Sequence, residues 1–259
     1  MRRRRSLGGA FSPRKLFTSG VAGAWYDPSD FSTLFQDNAG TTPVTATGQS
    51  VGRILDKSGN ANHATQATAA SKPTLQQTAG GLYYLSFDGS NDSMSTSSIN
   101  FSSTDKMSVC TGVTKSSDAA QAILYELSVD TFSNNGSFLL WAPGAAAGAN
   151  YYARVRGSLL SNAITFATYA APITNVATML ADISGDSVNI RVNGASAVTS
   201  TSDLGTGNFG NYPLFIGRRN NASLPFNGRI YQMVVCGKAL SASDLAAVER
   251  FVNSKTGAY

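Results

Sequence analysis

The stretch Ser187-Val188-Asn189-Ile190-Arg191-Val192-Asn193-Gly194 decides the fold. Its apolar residues, Val188, Ile190 and Val192, alternate with Asn189 and Arg191, the period of a strand that buries one face. Asn193-Gly194 follows at once, the dipeptide suited to a tight type I′ hairpin in which both central residues take positive φ. Ser184-Gly185-Asp186 supplies an earlier turn, so residues 175 to about 198 read as a three-strand meander. The same period predicts strands over 82–87, 107–113, 122–127, 137–141, 151–155, 164–169, 214–216 and 229–235. Before residue 73 the chain is turn-rich, with short apolar islands at 24–26 and 51–55. One helix is expected near the C-terminus. Ser241 can cap it with Asp244 three residues on, Leu245, Val248, Phe251 and Val252 form its apolar stripe, and Lys255 and Gly257 end it. About ten strands with no βαβ rhythm imply an all-β, two-sheet antiparallel sandwich carrying one short C-terminal amphipathic helix.

Composition agrees. The chain has 259 residues, which suits one large all-β domain. Only 14% are charged, against roughly 25% in an ordinary soluble domain, while 42% are hydrophobic, enough for a sizeable core. No apolar run approaches the roughly 18 residues of a membrane-spanning helix. The charge is unevenly placed. Arg2, Arg3, Arg4, Arg5, Arg14 and Lys15 crowd the first 15 residues with no acid, leaving 14 cations against 15 acids in the other 244. Residues 1–22, broken by Gly8, Gly9, Pro13 and Gly20, therefore read as a basic arm, and residues 23–259 as the sandwich domain. Such an arm docks on an acidic surface, a nucleic acid or a partner subunit, or stays solvated. The nearly neutral body is no general nucleic-acid binder. Ser6–Ser12 is too short and glycine-broken for the apolar core of an export signal. Cys110 and Cys236 each sit in strand-like sequence, as reduced core thiols would.

Four segments resemble the laminin G-like type of concanavalin A-like lectin/glucanase domain. They are Asp56-Lys57-Ser58-Gly59-Asn60-Ala61-Asn62-His63, Leu85-Ser86-Phe87-Asp88-Gly89-Ser90-Asn91-Asp92, and the Arg191-Val192-Asn193-Gly194 hairpin. The fourth is the closing series Phe215-Ile216-Gly217-Arg218, Phe226-Asn227-Gly228-Arg229-Ile230 and Lys238-Ala239-Leu240-Ser241. The resemblance implies a concanavalin A-like jelly roll over roughly residues 50–255. Gly23-Ala24-Trp25-Tyr26-Asp27-Pro28-Ser29-Asp30, residues 51–67 and Lys255-Thr256-Gly257 look like virion proteins of tailed bacteriophages that carry this domain. That likeness implies a non-enzymatic structural protein of tail, fibre or capsid decoration, made in the bacterial host cytoplasm and residing in the virion. Its partners would be other virion proteins, reached through Arg2, Arg3, Arg4, Arg5, Arg14 and Lys15. Copies of itself and host-surface glycan would be further partners, and a membrane would not; packaged DNA is the less favoured partner of the arm. A glycan-binding and a purely architectural role both fit.

The chemistry-bearing residues narrow this. Glycosidases of the fold use paired carboxylates, which the family's glucanases set at alternate positions of one strand. This chain has two glutamates, Glu126 and Glu249, and neither has an acid two residues away, so the alternating run of acids on one strand is absent. A polysaccharide depolymerase is thus the alternative, with Glu126 as its test. The single histidine, His63, is read as closing its loop by a hydrogen bond. No cofactor is required. Calcium is the one ion that the oxygen-rich turns suit, with Asp27, Asp56, Asn60 and Asp88 as candidate ligands. The same residues also suit turn-holding by backbone hydrogen bonds. Sugar binding needs exposed rings beside fixed polar groups, and the candidates are Trp25, Trp141, Tyr151, Phe209 and Tyr212, each of which could equally fill the core.

Overall fold

The computed structural model describes residues 11–164 and 168–259. The first strands are β1 (Gly23–Tyr26), β2 (Leu34–Phe35), β3 (Arg53–Ile54), β4 (Ala64–Thr65), β5 (Thr74–Gln77), β6 (Tyr83–Asp88), β7 (Met94–Asn100), β8 (Lys106–Lys115) and β9 (Ile123–Leu127). There follow β10 (Ser137–Trp141), β11 (Tyr152–Arg156), β12 (Leu160–Ile164), β13 (Ile173–Asp182), β14 (Ser187–Val192), β15 (Ala195–Ser200), β16 (Asn211–Ile216), β17 (Asn227–Cys236) and the helix α1 (Ala242–Thr256). They make two antiparallel sheets. One, of eight strands, runs β15-β14-β13-β8-β17-β6-β5, with β1 paired to β17. The other, of nine, runs β12-β11-β10-β9-β16-β7-β4-β3-β2. This is the two-sheet sandwich with a C-terminal helix that the strand pattern implies.

Alternation along each strand sorts side chains into three layers. Between the sheets lies the main core, to which β14 contributes Val188, Ile190 and Val192. Asn193 and Gly194 take φ of 52° and 79°, the mirror-image turn that makes β14 and β15 a tight hairpin. A second apolar layer covers the outer face of the eight-stranded sheet. There Trp25, Cys110, Val176, Val234 and Cys236 meet Val248 and Val252 of α1, together with Leu16 and Phe17. The helix approaches so closely because β8 has a glycine beneath it: a methyl group on Gly112 would collide with Thr256 Oγ1 and press on Val252 Cγ1 at 3.2 Å. Ser241 caps α1 by accepting from the Asp244 N–H, and Gly257 ends it in the left-handed conformation, φ 66°. The third layer, Ile123, Leu139 and Trp141, lies on the outer face of the nine-stranded sheet.

The structure revises several boundaries. The strand expected over 164–169 falls largely on residues 165–167, which lie outside the described residues; the observed β12, Leu160–Ile164, pairs with β11. Within the stretch expected to be an arm, Pro13–Gly20 forms 3-10 turns whose Leu16 and Phe17 are buried against the second layer. Arg14 and Lys15 are exposed on that docked segment. Arg2, Arg3, Arg4 and Arg5 lie outside the described residues. Among the described residues, no helix is long and apolar enough to cross a membrane.

Candidate functional site

The third layer gathers an unusual set of side chains. Along β11, Tyr152, Arg154 and Arg156 share one parity, while Ala153 and Val155 point into the main core. Register then carries one row across the sheet: Arg154 lies beside Leu139, Leu139 beside Glu126, Glu126 beside Phe215, and Phe215 beside Ser95. Two loops cover this row. Residues 128–136 bring in Thr131 and Phe132, and residues 217–225 bring in Arg219 and Leu224.

Glu126 is fully buried, and its partners account for it. Arg219 donates from Nε to Oε2 at 2.8 Å and from Nη2 to Oε1 at 3.2 Å. Thr131 donates both its N–H and its hydroxyl to Oε1, at 2.9 and 2.8 Å. A carboxylate so committed, with no acid beside it on the strand, is a structural anchor rather than a nucleophile or general acid. It fixes the 128–136 loop from below. Arg156 fixes it from the side, Nη1 donating to the Phe132 carbonyl at 2.6 Å and Nε to Asn135 Oδ1 at 2.8 Å. Burial works against ionisation of Asp130 in the same loop. Hydrogen bonds from Ser133 and the Phe132 N–H, with the charges of Arg219 and Arg154, nevertheless hold its carboxyl below the usual range.

On this support stands an aromatic and cationic cluster. Phe132 is 48% exposed at the loop tip, and its ring lies 3.8 Å from the Arg154 guanidinium carbon. Arg154 is also 4.8 Å from the Trp141 ring and 5.6 Å from that of Tyr152. Trp141 and Tyr152 meet edge to face at 4.9 Å. The arrangement is a rigid ring beside fixed cationic and amide groups, suited to holding a flat or ring-shaped polar molecule.

Of the ring residues expected to meet a sugar, Trp141 lies within this cluster. Tyr212 is half-buried against the main core instead, its hydroxyl donating to the Asn135 carbonyl at 3.1 Å, and so steadies the loop. The other three are corrected. Tyr151 and Phe209, at 0% and 1% exposure, belong to the main core and offer no face to a ligand. Trp25 is buried on the opposite side of the sandwich, edge-on to Phe251 of α1 at 5.9 Å. Phe132, Arg154 and Arg219 were not singled out from the sequence. The parity of Tyr152-Ala153-Arg154-Val155-Arg156 was the available signal for Arg154.

The oxygen-rich turns are tied to protein donors. Asp56 accepts from the Trp25, Ser58 and Asn62 N–H groups and from the Ser58 hydroxyl. Asn60 donates to the Val21 and Gly23 carbonyls, and Asp27 pairs with Lys57 at 3.1 Å while accepting from Ser29. Asp88 accepts from the N–H groups of Ser90 and Asn91. Among the described residues, no three acidic, histidine or cysteine side chains come together as a metal site. This geometry fits turn-holding and leaves these four without a shared position for calcium. His63 closes its loop, its Nδ1 accepting from the Asp56 N–H at 3.0 Å.

No curated protein matches the chain in sequence. Solved structures similar to it include the binding domain of botulinum neurotoxin serotype D, 14% identical with a TM-score of 0.57, where 76% of this chain covers 48% of that one. The serotype G binding domain is 12% identical with a TM-score of 0.58, over 78% and 49% of the two chains. The binding domain of Paraclostridial Mosquitocidal Protein 1 is 17% identical, also at 0.58, over 78% and 49%. The chain thus spans about half the length of these structures, and the likeness is one of fold. The family model of the concanavalin A-like lectin/glucanases superfamily matches residues 88–246, more than half of the sequence. On that match and on the two-sheet sandwich, the chain belongs to the concanavalin A-like lectin/glucanase superfamily.

Proposed function

We propose that this protein is a non-enzymatic, carbohydrate-binding structural component of a bacteriophage virion, binding host-surface glycan on the outer face of its nine-stranded sheet. The observation that carries the reading is the Phe132–Arg154–Trp141 cluster: a half-exposed ring held on a braced loop over cationic and amide groups. A sugar's C–H face packs on such a ring while its hydroxyls meet the polar rim. The virion part rests on the sequence resemblance to phage proteins and on the Arg2–Arg5 run, which would join the domain to neighbouring virion proteins or to copies of itself. The depolymerase alternative loses its best acid, since Glu126 is engaged by Arg219 and Thr131.

The test has two halves. A glycan array on residues 11–259 should give binding that Phe132→Ala abolishes while the thermal midpoint stays within a few degrees. Incorporation into particles should fall when residues 2–10 are deleted. Array binding unaffected by Phe132→Ala would remove the site, and full incorporation of the truncated chain would remove the arm as anchor.

A further inference from the structure

Two partly buried arginines of the sandwich each have a carboxylate. Arg191 pairs with Glu249 at 2.7 Å and Arg219 with Glu126 at 2.8 Å. Arg154 is 8% exposed, the most buried of the three, and has no acidic partner within ion-pair distance among the described residues. Its Nε donates to Asn162 Oδ1 at 2.7 Å and its Nη2 to the Tyr152 hydroxyl at 3.3 Å, while Nη1 has no acceptor among the described residues. The neighbouring Trp141 Nε1–H, also buried, likewise has no acceptor among them. Asp130 is close enough to feel the charge of Arg154, yet its oxygens accept from the Phe132 N–H and the Ser133 hydroxyl.

A buried guanidinium is ordinarily matched by an anion. The three rings around Arg154 supply cation–π attraction, but no counter-charge and no acceptor for Nη1. Two unused donors from adjacent side chains, one of them cationic, are complementary to the two oxygens of a carboxylate. The cover over the guanidinium is the Phe132 ring, half exposed on a loop, so turning one side chain would uncover it. We infer that this site recognises an acidic saccharide, a sugar ring bearing a carboxylate, with Arg154 Nη1 and Trp141 Nε1 donating to the carboxylate and Phe132 moving aside to lie along the ring. The inference rests on the carbohydrate-binding reading above and names its ligand class.

The test is a fluorescence titration of the full chain with oligogalacturonate, oligoglucuronate and sialyllactose, each beside its carboxyl-reduced neutral counterpart. Sodium acetate and sulfate serve as small-anion arms. The expected result is at least tenfold tighter binding of one acidic oligosaccharide than of its reduced form. Arg154→Gln should lose at least that tenfold, and Trp141→Phe, which removes the N–H and keeps a ring, should lose about threefold. If Arg154→Gln does not fold, the Trp141→Phe loss decides. Equal binding of acidic and reduced forms would overturn the inference and leave the glycan reading standing. Acetate or sulfate binding as tightly as the oligosaccharide would overturn it in favour of a plain anion site. No binding by any saccharide would overturn both.

Discussion

Arg219 holds Glu126 from a loop: the arginine sits 93 residues further along the chain, yet its fork meets both carboxylate oxygens, at 2.8 and 3.2 Å. The pair joins the 217–225 loop to β9, and Thr131 on the same carboxylate joins the 128–136 loop to both. Removing one member leaves the other buried without its charge. Arg219→Met should therefore lose about 3–5 kcal/mol of stability and Glu126→Gln about 2 kcal/mol, read from urea midpoints. The wild-type chain should release no reducing ends from polysaccharide, and their appearance would return Glu126 to a catalytic role.

Gly112 sets the height of α1 over the eight-stranded sheet. Gly112→Ala should cost about 2 kcal/mol, because the new methyl meets Thr256 Oγ1 and Val252 on a helix that cannot give way singly. Adding Thr256→Ala removes the nearest atom and should recover part of the loss. A thermal-melt cycle over the two single variants and the double variant measures that coupling.

The docked segment gives a truncation series with a sharp step. Deleting residues 2–10 should leave the melting temperature unchanged within a degree or two. Deleting residues 2–20 strips Leu16 and Phe17 from beside Trp25 and Cys236 and should cost about 3–5 kcal/mol. A gradual decline along the series would mean that residues 2–10 also pack.

Two groups titrate in opposite senses. Asp92 is buried beside Asp88, and desolvation with that neighbouring charge raises its carboxyl to about 6. Because the folded value lies above the unfolded one, this group's contribution is full below about pH 4 and is lost as pH rises through about 6. Asp92→Asn keeps an acceptor for the Asp88 N–H and should gain about 1–2 kcal/mol at pH 8, with no gain at pH 4. His63 is lowered, by burial first and by Arg53, against the pull of Asp56. Its contribution is present above about 6.5 and is lost as pH falls below that through the folded value. In the Asp92→Asn background, urea midpoints should fall between about pH 6.5 and pH 5, above the range in which the lowered carboxylates titrate, and His63→Asn should remove most of the fall in that window.

Local chemistry made much of this fold legible. The β14–β15 hairpin follows from a five-residue alternation and an Asn-Gly turn, and α1 from Ser241, Asp244 and Gly257, all within a few residues of the feature they set. Two-residue strands such as β2, β3 and β4 carry no period to read. In β7, the apolar buried positions are only Met94 and Ile99, among serines and Thr96, too few to stand out. The site divides in the same way. Parity along β11 places Arg154 opposite Ala153 and Val155, but what surrounds it arrives from Phe132, Trp141 and Asn162, through strand register and a loop. Trp25 shows the converse. Nothing near it in sequence decides between binding a sugar and filling the core, because its cover, Phe251, lies 226 residues away.

The outer faces of the two sheets carry different things. Leu16, Phe17 and α1 occupy one, and the Phe132 cluster occupies the other. A subunit fastened through the chain that leads into Phe11 therefore has a back and a front. Every copy held in the same way would turn its front outward, and an array of identical fronts raises the local concentration of binding sites seen by a polymeric glycan. Under that geometry even millimolar single-site affinity becomes firm adhesion, with gains of the order of 10²–10⁴ over one site. Such a surface would hold a repetitive polymer and release each of its fragments.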